Sequence, residues 1–118
     1  MKKTKGLTFF KLSKIPYTVS KNTKYEQLAN YITGDIQSSI ITAKEILDSI
    51  ESIEKGLVDE DDRSGNAFIA FVTKDKVTIE NGFTEESATY SLKDFKHAVS
   101  EWLDYLQTGK KRIVEFEE

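Results

Sequence analysis

The chain has no cysteine, one histidine, one proline and six scattered glycines among its 118 residues. Without cysteine there are no disulfide bonds, thiolate nucleophiles or cysteine-ligated zinc sites. Because His97 is the only imidazole, no site can use two histidines, and a Ser-His-Asp triad would depend on this one. The glycines form no phosphate-binding loop, and no nucleophile elbow is present. These absences indicate a binding protein that is not an enzyme and that uses no cofactor or metal.

Long apolar runs are missing as well. The N-terminal lysines resemble the start of a signal peptide, but Lys11 and Lys14 interrupt the apolar stretch that follows them. No apolar run is long enough to span a bilayer. We therefore expect a cytoplasmic protein without a membrane partner.

The charge balance is mildly acidic, with 17 basic residues, 20 acidic residues and a net charge of −3. Proteins that bind nucleic acid usually carry a basic footprint, so this balance argues against a nucleic-acid partner. It is compatible with a basic protein partner, because opposite potentials accelerate association. Plain solubility explains the same excess, and charge alone does not separate these two interpretations.

The first third of the chain mixes strand and helix signals. Residues 7–12 have the composition of a strand, and Pro16 restricts the following segment 17–19 to a short strand at an edge. In residues 25–32 apolar side chains recur at helical spacing, but the segment is so short that helix and strand both stay open. Asp35 is expected to cap the helix that follows.

Two helices are predicted more clearly. Residues 36–55 carry an apolar stripe, and Gly56 stands where a helix C-terminal glycine belongs. The last helix begins after Ser91, whose hydroxyl suits the N-cap position, and ends at Gly109. Trp102 falls on the apolar stripe of this helix and is expected in the core.

The remaining elements are strands. The unbroken apolar run 67–73 predicts a central strand that forms a hairpin with residues 76–80. Segments 87–91 and 112–116 predict further strands, the first of them together with Phe83. These elements predict a single α+β domain over the whole chain, 1–118. Its antiparallel sheet would have about four to five strands, with two or three helices packed on one face.

The segment 59–66 is predicted to be a solvated loop. It begins with four consecutive carboxylates, which repel one another unless solvent or a partner neutralises them. It lacks the glycine and glutamate positions of a calcium-binding EF-hand loop. We predict that seven acidic residues form the electrostatic part of a protein-binding surface: Asp59, Glu60, Asp61, Asp62, Glu80, Glu85 and Glu86.

Two residues of the last helix are further candidates. Tyr105 falls off the apolar stripe, so we expect it to be exposed and available as an aromatic anchor of an interface. His97 lies beside the stripe and is interpreted as a surface residue. A small hydrolase that uses His97 stays as an alternative.

The second half of the chain resembles the YacL-type small bacterial proteins. The segments that carry the resemblance are GNAFIAFV (65–72), KVTI (76–79), EESATYSLKDF (85–95) and WLDYL (102–106). Some relatives of these proteins are immunity proteins of contact-dependent growth inhibition systems. The resemblance covers residues 34–108 and implies a helix before a β-hairpin and a last helix that contains tryptophan. Tyr90-Ser91 stand where the family has a Cys-Gly pair.

The resemblance, the lack of catalytic groups and the acidic segments predict an immunity protein. It would bind the catalytic domain of a cognate bacterial toxin and occlude the active site of that domain. A nuclease is the expected toxin class, because nucleases need cationic surfaces to hold their substrates. A non-enzymatic housekeeping adaptor with another partner is the alternative, and gene context would separate the two.

Overall fold

The chain folds into seven strands and three α-helices. The computed structural model describes residues 3–117. The strands are β1 (Lys3–Leu12), β2 (Ile15–Val19), β3 (Glu60–Asp62), β4 (Phe68–Thr73), β5 (Lys76–Asn81), β6 (Ser87–Ser91) and β7 (Arg112–Glu117). The helices are α1 (Glu26–Tyr31), α2 (Ile40–Glu54) and α3 (Leu92–Thr108).

The strands form two antiparallel sheets. One has three strands in the order β2–β1–β7, and the other has four in the order β3–β4–β5–β6. The predicted α+β class is therefore confirmed. The single sheet of four to five strands is replaced by two sheets, because β1 and β2 pair with the last strand of the chain and not with the central hairpin.

The three-stranded sheet is organised around a tight hairpin and a bulge. Ser13 and Lys14 connect β1 to β2 with positive φ angles of 52° and 69°, as a two-residue hairpin turn requires. Pro16 lies in β2 at the sheet edge, as predicted. The pairing of β1 with β7 shifts at Gly6, where any side chain would overlap the ring of Phe116.

The segment 25–32 is helical. A 3₁₀ turn, Thr23–Tyr25, leads into α1, and a π-helical turn, Ile32–Ile36, continues it. The turn ends at Gln37, which has φ 56° and ψ −139°. The indole N–H of Trp102 donates to the Gln37 carbonyl at 2.8 Å, which fixes this end of the helix against α3.

Helix α2 begins later than predicted. Ser39 is its N-cap, with its hydroxyl accepting from the Thr42 N–H at 3.0 Å. The expectation that Asp35 caps α2 is wrong, because its carboxylate accepts from the backbone N–H groups of Ala67 and Phe68 at 3.1 and 2.9 Å. It thereby ties the π-helical turn to the start of β4. The C-terminal glycine is confirmed: Gly56 has φ 73°.

Helix α3 has the predicted boundaries. The Ser91 hydroxyl accepts from the Asp94 N–H at 3.0 Å, and Gly109 ends the helix with φ 70°. Trp102 is fully buried, as predicted. Its indole meets the Phe9 ring of β1 edge-on at 4.9 Å between centroids.

One apolar core joins the two sheets. Its buried members include Phe9 of β1, Val77 of β5 and Leu28, Ile46 and Trp102 of the three helices. The inner faces of both sheets therefore pack against shared side chains, which leaves their outer faces to be compared.

Candidate protein-binding site

The four-stranded sheet has one buried and one open face. Val72, Val77 and Tyr90 form a buried row across β4, β5 and β6. Ile69 and Phe71 alternate with the buried residues of β4 and are exposed. Both belong to the apolar run that predicted a central strand, and the run gave no sign that one of its faces is open.

Three carboxylates flank these two apolar side chains. Asp62 pairs with Phe71 between β3 and β4, and Glu80 pairs with Ile69 between β4 and β5. Directly paired residues of an antiparallel sheet point to the same side and lie about 5 Å apart. Glu60, two residues before Asp62, points to that side as well. We call this surface, Glu60, Asp62, Ile69, Phe71 and Glu80, the acidic sheet face.

The carboxylates of the acidic sheet face keep most of their charge available. Within residues 3–117, neither Glu60 nor Glu80 forms an ion pair. Hydrogen bonds from Ser64, including its N–H at 2.8 Å, lower the pKa of Asp62, so this group is ionised at neutral pH. Lys76 points the same way at the hairpin end of the face and offsets part of the charge.

The loop between β5 and β6 extends this surface. Phe83 is 82% exposed there, although the sequence placed it with the third strand. The Asn81 side chain accepts from the N–H groups of Phe83 and Thr84, which fixes the turn. Glu85 and Glu86 follow, both exposed, and Glu85 adopts a positive φ of 65°. The predicted acidic pair therefore stands at a defined turn beside an exposed aromatic ring.

The four consecutive carboxylates do not act as one group. The predicted solvated loop is wrong for residues 60–62, which form the edge strand β3. Strand alternation turns Asp61 inward, where it accepts from the Ser49 hydroxyl and pairs with Arg63 at 3.0 Å. Asp61 is therefore a structural residue. Asp59 remains exposed just before the strand.

The expectation that Tyr105 is an exposed anchor is wrong. Its side chain is 1% exposed, with its ring 5.5 Å from Phe9 and 5.3 Å from Trp102. The three-stranded sheet covers a second side of α3, so the buried arc is wider than the apolar stripe. Burial raises the pKa of the Tyr105 phenol.

His97 is exposed on α3 and borders a surface groove of about 690 Å³ between α3 and β7. A ring nitrogen lies 3.1 Å from the Glu115 carbonyl oxygen, and the ring meets the edge of Phe116 at 5.7 Å. Within residues 3–117 no carboxylate or hydroxyl hydrogen-bonds to the imidazole. The contacts are those of a packed surface histidine and assemble no catalytic group around it.

Two further searches covered the described part of the chain. Residues 3–117 contain no group of three or more His, Asp or Glu side chains that could hold a metal ion. None of their helices is both long and apolar enough to cross a membrane. A scan of protein-family models, a search of curated proteins and a search of solved structures found no match to this chain. The site must therefore be interpreted from its own geometry.

Proposed function

We propose that this chain is an immunity protein that binds a basic toxin domain through the acidic sheet face and the adjoining loop 82–86. The observation that carries the proposal is the placement of Glu60, Asp62 and Glu80 around the exposed Ile69 and Phe71. The resemblance to immunity proteins of contact-dependent growth inhibition systems remains a prediction that agrees with it.

The acidic sheet face has the layout of a protein interface. Such interfaces have an apolar centre with aromatic side chains, surrounded by a polar rim. Phe71 and Ile69 provide the centre, and Phe83 adds an exposed ring at one end. The carboxylates provide a rim of one sign, which accelerates encounter with a cationic partner.

A nuclease domain is the partner that this rim suits best. Its substrate-binding surface must be cationic, because it holds a phosphate backbone. An acidic inhibitor can occupy the same surface and exclude the substrate, without any catalytic group of its own. The acidic sheet face supplies carboxylates and apolar contacts, which are sufficient for such occlusion.

The test uses the toxin domain encoded next to this gene. We expect isothermal titration to show tight binding and co-expression to protect cells from the toxin. The double variant Glu60→Lys/Glu80→Lys should weaken binding by at least about tenfold and reduce its dependence on salt. Phe71→Thr should weaken it by about tenfold through the lost apolar contact.

The matched control carries two charge reversals on α2. Glu45→Lys/Asp48→Lys changes the net charge by the same amount at exposed positions away from the acidic sheet face. We expect it to bind nearly as tightly as the unchanged protein. Equal losses in both double variants would assign the effect to net charge and contradict the proposed surface. Absence of both binding and protection would contradict the immunity function itself and favour the adaptor.

A further inference from the structure

The outer face of the three-stranded sheet is a second open surface, with a different chemistry. Residues paired across the strands place one set of side chains on the side away from the core. We call this set the lysine-rimmed face, and its members are Thr8, Phe10, Leu12, Ile15, Tyr17, Val19 and Ile113.

The centre of the lysine-rimmed face carries no charge. Leu12 and Ile15, paired at the hairpin end, are 58% and 56% exposed, and Val19 and Ile113 are exposed beside them. Phe10 and Tyr17 stack on each other, with ring centroids 6.2 Å apart. No helix of residues 3–117 covers these side chains. A contiguous apolar surface of this kind marks a contact site.

The rim of this face is strongly basic. The first 25 residues contain seven of the 17 basic residues, all of them lysine, and none of the 20 acidic residues. Ten basic and 20 acidic residues remain for the other 93 positions. The mild net charge of −3 therefore hides a large asymmetry. Within the described residues, Lys11, Lys14 and Lys21 form no ion pair.

The far end of the same face is electrically balanced. There Lys5 pairs with Glu115 and Lys3 with Glu117 across β1 and β7. The uncompensated charge is therefore concentrated around the hairpin, at Lys11 and Lys14, next to the exposed Leu12 and Ile15. An occupant of this face must be anionic and must accept aliphatic side chains at the same place.

Three of the four possible occupants fit these observations poorly. A second copy would bring two lysine rims together and repel. Protein interfaces are enriched in arginine and depleted in lysine, whereas this rim has only lysine. Single-stranded nucleic acid needs free aromatic faces for its bases, but Phe10 and Tyr17 are half-buried and stacked on each other.

We propose that the lysine-rimmed face binds the surface of an anionic lipid bilayer. Lysines extend their apolar stems over the surface and keep their ammonium groups at the lipid phosphates. Leu12 and Ile15 enter the boundary between headgroups and acyl chains from the hairpin tip. The expectation of no membrane partner came from the lack of a spanning segment, and a peripheral contact of this kind needs none.

The experiment measures co-sedimentation of the full chain with vesicles. Vesicles of phosphatidylcholine alone are compared with vesicles that contain 30% phosphatidylglycerol, a flagged experimental choice of roughly one anionic lipid in three. We expect binding to the anionic vesicles and little binding to the neutral ones. The binding should fall steeply as salt rises, because the attraction is screened.

Two double variants test the charged and the apolar part. Lys11→Gln/Lys14→Gln should weaken binding to anionic vesicles by roughly 30-fold, at about tenfold or less per lysine. Leu12→Thr/Ile15→Thr should weaken it by at least about tenfold while keeping strand propensity. The matched apolar control is Ile41→Thr/Leu57→Thr, at positions 71% and 73% exposed outside this sheet. The matched charge control is Lys44→Gln/Lys74→Gln.

Each outcome bears on the proposal. Losses confined to the first two double variants, with folded circular dichroism spectra, support it. No binding to anionic vesicles, or equal losses in the control variants, would overturn it. Concentration-dependent dimerisation in sedimentation velocity that Leu12→Thr/Ile15→Thr abolishes would overturn it in favour of a second copy. Binding of single-stranded oligonucleotides without binding of vesicles would overturn it as well. The proposed toxin binding uses the other sheet and is unaffected by any of these results.

Discussion

The two sheets bury their inner faces in one core but expose outer faces of different character. The four-stranded sheet places Glu60, Asp62 and Glu80 among its exposed apolar side chains, whereas the outward centre of the three-stranded sheet is uncharged and bordered by lysine. The difference teaches that a net charge of −3 describes neither surface. Strand alternation decides which charges face solvent together, and each face can then select a partner of its own.

The largest expected effect tests the assignment of inner and outer sides in β1. Phe9 is buried against Trp102 and Tyr105, whereas its neighbour Phe10 stacks on Tyr17 at the outer face. We expect Phe9→Ala to lower the free energy of unfolding by about 3–5 kcal/mol and Phe10→Ala by about 1 kcal/mol. Urea denaturation followed by tryptophan fluorescence measures both. Equal losses would contradict the two-sided description of the sheet.

The next effect depends on pH and concerns the inner face of the four-stranded sheet. The Tyr90 hydroxyl donates to the Lys24 carbonyl at 2.8 Å and accepts from the Leu28 N–H at 3.2 Å. Burial raises the pKa of Tyr90 to about 12, and the hydrogen bond from Leu28 opposes part of this rise. An unfolded tyrosine ionises near pH 10, so the folded state holds the neutral phenol more tightly than the unfolded state does.

The sign of this linkage follows from the raised pKa. The contribution is complete below about pH 10 and is lost as the pH rises towards about 12, with a size of about 2 kcal/mol. We expect Tyr90→Phe to be less stable than the unchanged protein at pH 8, and the gap to shrink at alkaline pH. Urea denaturation of both proteins at several alkaline pH values measures the gap. A constant gap across that range would contradict the assigned burial.

Local features of the fold were predictable from the sequence, because their causes are local. Ser91 and Gly109 bound α3 through the backbone groups of neighbouring residues, and the apolar spacing around Trp102 predicts its buried side. The hairpin between residues 73 and 76 follows from a polar turn between two apolar runs. None of these requires knowledge of which distant segments meet.

Long-range features were not predictable in this way. Asp35 looked like a helix cap, but it binds the start of β4, about 30 residues along the chain. Tyr105 looked exposed because the stripe of α3 was interpreted against a single sheet, and Phe9 of the second sheet covers it. The candidate site was partly predicted: Glu80, Glu85 and Glu86 are exposed or half-exposed, whereas Ile69 and Phe71 gave no signal in an unbroken apolar run.

The smallest effect separates neighbouring carboxylates within β3. Asp61 faces inward and binds Ser49 and Arg63, whereas Glu60 faces outward with no ion pair among residues 3–117. We expect Asp61→Ala to lower the free energy of unfolding by about 1–2 kcal/mol, because it leaves two half-buried polar partners unsatisfied. Glu60→Ala should change it by less than about 0.5 kcal/mol. In a toxin-binding assay the order should reverse, since only Glu60 belongs to the acidic sheet face. If Asp61→Ala weakened binding as much as Glu60→Ala at unchanged stability, the four carboxylates would act as one flexible acidic segment and the alternation in β3 would carry no functional meaning.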